Sequence, residues 1–510
     1  MKKLPTGIQT FSEIREDTYA YVDKTKDIYK LIENGKYYFL SRPRRFGKSL
    51  LIDTISELFL GSKKYFEGLY IYDKWDWETK YPVINISFGG GVFSSSELTV
   101  RSIRNKLKRI LKELKVACDD SEDISDCFME IIRTASSKYG RKVVVLVDEY
   151  DKPIIDVITN KAVAKENRNI LGSFYAAIKD SDRYIKFAML TGVSKFFKGN
   201  LFSSLNNLTD ITMDSAYGTI AGYTEHDLDT VFAEHLKGAD RERVNRWYNG
   251  YNYFAESIYN PFDILQFIGQ RYLFKNYWWE TGNPNFLIEM LKKSNFYIPD
   301  LENLIVEEEA LNAFDVEKIE LVALLWQTGY LTFKKREMLE SGIEYTLKIP
   351  NMEIQNSINT LLLTYLVNEN LNLPKKSLLN RILSAGDLPG LEKSLKALFA
   401  AIPYNNYTKN IMAQYEGYYS SVIYTFMAGL GFDIVGEDVT SRGRIDLTVK
   451  TKSAVYILEF KVDSDEDPVK QIKERRYYEK YRSGNKTVYM VGIKFDSEAR
   501  NISDFTWEKV

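Results

Sequence analysis

Short apolar runs alternate with amphipathic stretches along the first third of the chain. Tyr37 to Leu40 is a brief apolar run ending in SRPRRFGKS, and the helical pattern SLLIDTISELFL follows it. PVINISF then reads as a strand, and Ser95 to Val116 as a helix with a basic face. KVVVLVDEYDKP is a buried strand running into an acidic turn. Residues Asn167 to Lys179 have helical spacing, and YIKFAMLTG reads as another strand. Apolar strands separated by helices predict a parallel sheet covered on both faces, because such strands are buried on both sides.

From about Tyr223 the pattern turns mostly helical, through LDTVFAEHL, YNPFDILQFI, FLIEMLKKS and VALLWQTGYLTF. Asn283–Pro284 and Ile349–Pro350 mark turns. Ile354 to Phe399 stays helical, and from Ala401 the pattern changes again. There a helix-like run, EGYYSSVIYTFMAGLG, precedes the short strands RIDLTVK and AVYILEFKV. A polar helix, PVKQIKERRYYEKYR, leads to a last strand, TVYMVGIKF. The division expected is a parallel α/β domain at 1–222, a mostly helical region at 223–400 and a smaller α/β domain at 401–510.

A length of 510 residues fits about two to four domains. Lys plus Arg is 69 and Asp plus Glu is 70, so the net charge of −1 excludes a globally basic nucleic-acid wrapper. Any polyanion must meet a local patch. Two cysteines, Cys118 and Cys127, exclude a disulfide framework or a Cys-rich metal site and suit a reducing compartment. His226 and His235 stand nine apart among acidic residues and suggest neither a Ser-His-Asp triad nor a multi-His metal site. The N-terminus lacks the apolar segment of a signal peptide. No apolar run approaches the roughly 18 residues of a membrane span, so a cytoplasmic setting is expected.

Ser41 to Ser49 lies between a strand and a helix, and its end, Gly47-Lys48-Ser49, matches the last part of a Walker A loop. Gly47 lets the backbone approach a phosphate, Lys48 reaches the β- and γ-phosphates, and the Ser49 hydroxyl suits Mg²⁺. The loop's first glycine would fall at Arg42; Arg44 and Arg45 add positive charge, and Arg44, Arg45 and Phe46 count with Gly47, Lys48 and Ser49 as candidates for binding the nucleotide. The apolar run Val143 to Val147 ends at Asp148–Glu149, where open α/β sheets bind ligands. Asp148 is expected to hold Mg²⁺ through water, and Glu149 to polarise the attacking water. Thr191 ends a further strand, in a position suited to sensing a γ-phosphate.

A second constellation lies near the C-terminus. Glu459 and Lys461 are two apart on a strand and project to one face. A turn near Thr451 to Ser453 lets the preceding strand bring Asp446 beside them. Two carboxylates and an ammonium on a buried surface suit a metal and a phosphate. The carboxylates are candidate ligands for Mg²⁺ or Mn²⁺, and Lys461 for orienting water. Glu416 on the preceding helix is placed to complete the metal shell, and Gln471 on the following helix to touch metal water or substrate. Residues 401–510 hold 16 Lys plus Arg against 16 Asp plus Glu. The positive charge clusters at Lys470, Lys473, Arg475, Arg476, Lys480 and Arg482 among tyrosines, a stretch able to track a phosphate backbone. The acidic run Asp463 to Asp467 reads as a solvated loop.

The chain resembles the family of bacterial proteins that join an AAA-ATPase-like N-terminal domain to a PD-(D/E)XK nuclease-superfamily C-terminal domain. The likeness rests on YVDKTKDIYKLIENGKYYFLSRPRRFGKSL, VVLVDEYDKPIID, LTGVSKFFKGNLFSSLNNLTDIT, WYNGYNY with IYNPFDIL, YWWETGNPNFLI, LLWQTGYLTF, LFAAIPY, and TSRGRIDLTVK with VYILEFKVD. It implies a P-loop NTPase sheet, a helical middle and a restriction-endonuclease-like end. It also implies that RPRRFGKS is the family's own Walker A form, that Gly47, Lys48 and Ser49 take the phosphate and Mg²⁺ roles, and that Asp148 and Glu149 are the Walker B pair. Glu416, Asp446, Glu459, Lys461 and Gln471 fall on the nuclease core, with Arg444-Ile445 where a proline usually precedes the first Asp.

The function implied is ATP binding and hydrolysis with metal-dependent cleavage or binding of nucleic acid, DNA before RNA, under nucleotide control. The alternatives are a nucleotide-dependent switch or sensor whose nuclease fold no longer cuts, with defence against foreign DNA as one setting, and a remodeller that holds DNA. AAA-type sites often use a neighbouring subunit, so a homo-oligomer is expected.

Overall fold

The computed structural model describes residues 1–118, 123–195, 206–279, 301, 303–312, 320–340, 342–366, 376–400, 402, 416–429, 432–482 and 484–510. FLIEMLKKS, the Asn283–Pro284 turn and parts of three family stretches (VSKFFKGNLFSSL, YWWETGNPNFLI and LFAAIPY) lie outside the described residues. The chain divides into two compact units. The first comprises 1–281 and 305–351, and the second 282–304 and 352–510.

In the first unit, β1 (Tyr37–Ser41), β2 (Val83–Ser87), β3 (Val143–Asp148), β4 (Ile185–Gly192) and β5 (Thr209–Asp210) form one sheet in the order β2-β3-β4-β1-β5. Every pairing is parallel. β1 and β3 are buried along their whole length, which is why their sequences are continuous apolar runs rather than alternating ones. β1 feeds α1 (Lys48–Phe59) through the RPRRFG loop. β2 leads to α2 (Ser96–Leu114) and α3 (Ile124–Tyr139). α4 (Lys161–Asp180) precedes β4, and α5 (Pro261–Gly269) begins with proline, whose missing N–H costs nothing there.

The middle stretch carries helices, among them α6 (Leu321–Thr328), and also a three-stranded sheet. Its strands are β6 (Leu304–Glu307), β7 (Thr332–Leu339) and β8 (Gly342–Lys348), in the order β6-β8-β7. The β7–β8 hairpin is half solvated, and TFKKREML carries too little apolar alternation to announce it.

Residue 42, where a Walker A loop normally has glycine, holds a buried arginine. The Arg42 guanidinium donates to the carbonyls of Ser41 and Thr212 at 2.9 Å and of Tyr217 at 3.3 Å. It also lies 3.6 Å from the Tyr253 ring centroid. The bulk points away from the phosphate side and ties the loop to the chain beyond β5. Pro43 packs against Gly329, which ends α6 in the left-handed region (φ 94°), and Trp278 donates to the Arg44 carbonyl at 3.2 Å.

In the second unit, α7 (Glu416–Gly429) precedes β9 (Asp433–Thr440), β10 (Gly443–Lys450) and β11 (Ala454–Val462). Then come α8 (Pro468–Glu474), α9 (Glu479–Arg482), β12 (Thr487–Asp496) and β13 (Asn501–Lys509). The sheet order is β13-β12-β11-β10-β9, with only the β11–β12 pair parallel. β11 is central and buried through Phe460. On one face Ile445, Val455, Ile457, Val488 and Met490 pack with Val469 and Ile472 of α8 and with Tyr477. On α7, Tyr419 stacks on Phe495 of β12 at 4.2 Å.

Three expectations need correction. TVYMVGIKF is not the last strand, because β13 pairs antiparallel with it. The polar helix at 468–482 is broken in two, with Arg476 in the left-handed region (φ 53°) between the halves. The two cysteines do form a disulfide: Cys118 after α2 bonds Cys127 in α3, with Cα atoms 5.5 Å apart. Nine-residue spacing alone did not reveal that the end of α2 and the start of α3 bring the two thiols together.

Arg42→Ala removes three charge-assisted bonds from a buried position. It is expected to cost roughly 3 kcal/mol or more in urea unfolding, with Arg42→Lys restoring only part, since one ammonium cannot span three carbonyls. Equal stability of all three proteins would show that the guanidinium does not hold the loop.

Candidate functional site

The parallel order places the ends of β1, β4 and β3 side by side, with β4 in the middle. Gly47 (φ 88°) lets the loop turn into α1. Ser49 donates its hydroxyl to Asp148 Oδ2 at 2.5 Å, and Thr191 donates to Asp148 Oδ1 at 2.7 Å. Thr191 is wholly buried, so the structure places it on Asp148 rather than at the cavity wall. Lys48 is 7% exposed and donates to the carbonyls of Arg42 and Pro43, each at 2.9 Å. Burial lowers its pKa, against the pull of Asp148, Asp151 and Glu149.

Glu149 sits in the left-handed region (φ 53°), an uncommon conformation for a glutamate, and its own N–H donates to Asp148 Oδ1 at 3.0 Å. Burial first, and Asp148 second, raise its pKa. Gly89, after β2, lies beside its carboxylate: a Cβ there would stand in ordinary contact, 3.6 Å from Glu149 Oε2.

These residues open on a cavity of about 340 Å³. Arg44, Arg45, Gly47, Lys48, Ser49 and Glu149 line its polar side, and Ile8, Phe262 and Leu265 an apolar wall. Arg45 lies over the Phe262 ring at 5.0 Å. Phe46 turns inward instead, packing edge-on against Tyr251 at 4.8 Å. Asp151 was not singled out from the sequence, although it is the last acid of DEYD. It is buried and accepts from the backbone N–H of Val193 and Ser194 and from the Ser194 hydroxyl, at 2.6–3.0 Å. It thus fixes the turn after β4.

The second unit gathers the other constellation. β10 and β11 pair antiparallel with Leu447 opposite Leu458, so Asp446 and Glu459 are the next opposed positions. Asp446 Oδ2 accepts from the Phe460 N–H at 2.7 Å. Glu459 is 2% exposed; its Oε1 accepts from the Gln471 amide, while among the described residues its Oε2 has no hydrogen-bond partner. Burial raises the pKa of both carboxyls, and each is pushed further by a neighbouring carboxylate, Glu416 acting on Asp446 and Asp446 on Glu459. The Lys461 ammonium opposes both shifts. Glu416, half-buried at the start of α7, is also raised by burial. Tyr477, read before only as part of a basic stretch, is buried here and hydrogen-bonds the Gln471 side chain.

Among the described residues, no three Asp, Glu, His or Cys side chains come close enough to hold a metal ion. Asp446 and Glu459 form a carboxylate pair on adjacent strands, and the charge of Glu416 acts on both. The pair still fits a hard divalent cation: both donors are carboxylates, one buried oxygen is unpartnered, and Mg²⁺ accepts one or two carboxylates while keeping water. Ser49 and Asp148 are oxygen donors of the same kind in the first unit.

The backbone-tracking stretch changes character. Lys470 pairs with Glu474, Lys473 with Glu508, Arg476 with Glu479, and Lys480 with Asp438. Four of its six cations are thus matched by acids that the linear sequence places elsewhere or on the same turn.

A parallel P-loop sheet with a Lys-Ser loop facing an Asp-Glu strand end, and a second unit with an Asp, Glu-x-Lys sheet, define an ATPase-like and a nuclease-like class of domain. Residues 5–202 match the family model described as Predicted AAA-ATPase, and residues 414–505 that of the PD-(D/E)XK nuclease superfamily. The chain belongs to the family that joins these two domains. It is 46% identical over 514 residues, covering 100% of this chain and 99% of the relative, to an Azotobacter chroococcum mcd 1 protein named "Uncharacterized protein in vnfD 5'region". No described helix is long and apolar enough to cross a membrane.

Because Asp446 and Glu459 have raised native pKa values, the folded state keeps protons that the unfolded chain releases above about pH 4. Their stabilisation is full below that pH and is lost as pH rises through the native values. In EDTA, the protein is expected to melt lower at pH 8 than at pH 5.5. The slope should flatten in Asp446→Asn/Glu459→Gln, and Mg²⁺ without nucleotide should raise the pH 8 melting temperature of the wild type alone. Identical slopes for the two proteins in differential scanning fluorimetry would remove this account of the pair.

Proposed function

We propose that the protein binds and hydrolyses ATP in the first unit and cleaves nucleic-acid phosphodiesters, DNA before RNA, in the second, with nucleotide state controlling cleavage. The observation that carries the reading is a cavity lined by Lys48, Ser49 and Glu149, with Ser49 bonded to Asp148 behind it, together with the opposed Asp446 and Glu459 next to Lys461.

Lys48 leaves its loop carbonyls for the β- and γ-phosphate oxygens, a stronger partner for a buried ammonium. Arg44 and Arg45 add charge on the open side, and the apolar wall of Ile8 and Phe262 suits a flat base. Glu149, kept basic enough by burial and repulsion to accept a proton, orients the attacking water. Ser49 and Asp148 would hold Mg²⁺ in this unit, and Asp446 and Glu459 would hold Mg²⁺ or Mn²⁺ in the other. The ion supplies positive charge for the phosphoryl oxygens at each site. Glu416 takes an outer position and modulates the pair by its charge. Lys461 holds water or a phosphate oxygen in line, and Gln471, braced by Tyr477, fixes the Glu459 carboxylate. A shared site between subunits of a homo-oligomer, and a cytoplasmic setting, belong to the same reading.

A nucleotide-dependent switch with a non-cleaving nuclease fold is the second reading. The matched charges on 470–482 and the zero balance of residues 401–510 favour it.

Supercoiled plasmid nicking with Mg²⁺ or Mn²⁺, with and without ATP, tests the choice. Lys461→Ala is expected to lower cleavage by about 10²-fold or more and leave ATP hydrolysis unchanged. Lys48→Ala should abolish hydrolysis, and its cleavage should match that of the wild type without ATP. Glu149→Gln should slow hydrolysis by about 10²-fold or more while retaining ATP. Hydrolysis without cleavage in any lane would select the switch.

A further inference from the structure

The basic face seen in the sequence at Ser95 to Val116 takes no part in either site. α2 buries Thr99, Ile103, Leu107, Ile110 and Leu114 against the first unit. Arg101, Lys108 and Lys112 are exposed and stand seven and four residues apart. At about 100° per residue they fall in one row opposite the buried face, and Lys115 extends it past the helix end. From Ser96 to Lys115 the chain holds seven Lys or Arg against Glu97 and Glu113. Glu113 pairs with Arg109, at the side of the row, and Glu97 is held by Ser95 and by the backbone at the helix start. Among the described residues, Arg101, Lys108 and Lys112 have no acidic partner within ion-pair distance. This is the reverse of the 470–482 stretch, whose charges are matched.

We propose that the outward face of α2 is a docking surface for the sugar-phosphate backbone of duplex DNA. Arg101 to Lys112 spans roughly 16 Å of helix axis, against about 3.4 Å of rise per phosphate along one strand, so a rigid row of cations follows a regular row of phosphates. A single strand is a poorer match, because α2 contains no aromatic residue on which bases stack. A membrane surface is also a poorer match, because no large apolar side chain of α2 is exposed for insertion. The choice of DNA over duplex RNA rests on the nuclease reading above.

The opposite flank of α2, away from this row, reaches the loop after β2. Lys106, on the flank of α2, donates to the Gly90 carbonyl at 2.9 Å, next to Gly89 beside Glu149.

The test is fluorescence anisotropy of the full chain with a labelled 20-base-pair DNA duplex in EDTA, from 50 to 200 mM KCl. Arg101→Glu/Lys108→Glu/Lys112→Glu is expected to bind at least tenfold more weakly at 50 mM, and its log–log salt slope should fall by about two to three. All three residues are exposed, so its melting temperature should equal that of the wild type; if it does not, Arg101→Gln/Lys112→Gln takes its place. No duplex binding by the wild type at 50 mM, or an unchanged affinity and slope in the variant, overturns the proposal. Tighter binding of a duplex RNA of equal length overturns the choice of DNA. Flotation with phosphatidylserine vesicles that is lost in the variant, with DNA binding unchanged, assigns the face to a membrane instead. Because EDTA prevents cleavage, loss of nicking in Lys461→Ala and loss of binding in the α2 variant are separate failures.

Discussion

Asp148 ties three strand ends together. It sits at the end of a wholly buried strand, where an anion is costly unless it is bonded. Hydroxyls from Ser49, after β1, and Thr191, on β4, and the N–H of Glu149 meet that need. The same bonds set the start of α1 against the end of β3, and the lysine and glutamate on either side inherit their positions. Asp151 does the equivalent work one turn later, gripping the chain as it leaves β4.

The second unit solves the opposite problem. It places a half-buried Asp446 beside the buried Glu459 and leaves part of their demand unmet. One Phe460 N–H, one Gln471 amide and the nearby Lys461 reduce the cost without removing it. A structure that keeps two raised carboxyls on adjacent strands is storing an affinity for positive charge. Tyr477 and Gln471 lock the Glu459 carboxylate in place, so the site is oriented before anything binds.

Charge is distributed with equal economy. The chain is nearly neutral, yet it matches most cations of 470–482 with local acids while a row on α2 has no acidic partner among the described residues. Local density rather than net charge decides where a polyanion settles, since contacts beyond about 8–10 Å are screened at physiological salt.

The two sheets, the loop at Gly47 to Ser49 and the strand positions of Asp148, Asp446, Glu459 and Lys461 were legible in the sequence. Burial on both faces forces continuous apolar runs, and a period of two fixes which side chains share a face. Half-solvated strands such as β7 and β13 were not legible, because one wet face dilutes the pattern. Arg42, Asp151 and Tyr477 looked like loop and surface residues, and only the folded chain put carbonyls, N–H groups and an amide around them. The cysteine pair, the inward turn of Phe46, and the matching of Lys473 by Glu508 and Lys480 by Asp438 depend on segments brought together by folding. A residue's type and spacing determine what it can do; which partners surround it, and so whether its charge is free or spent, is decided by contacts between residues far apart in the chain.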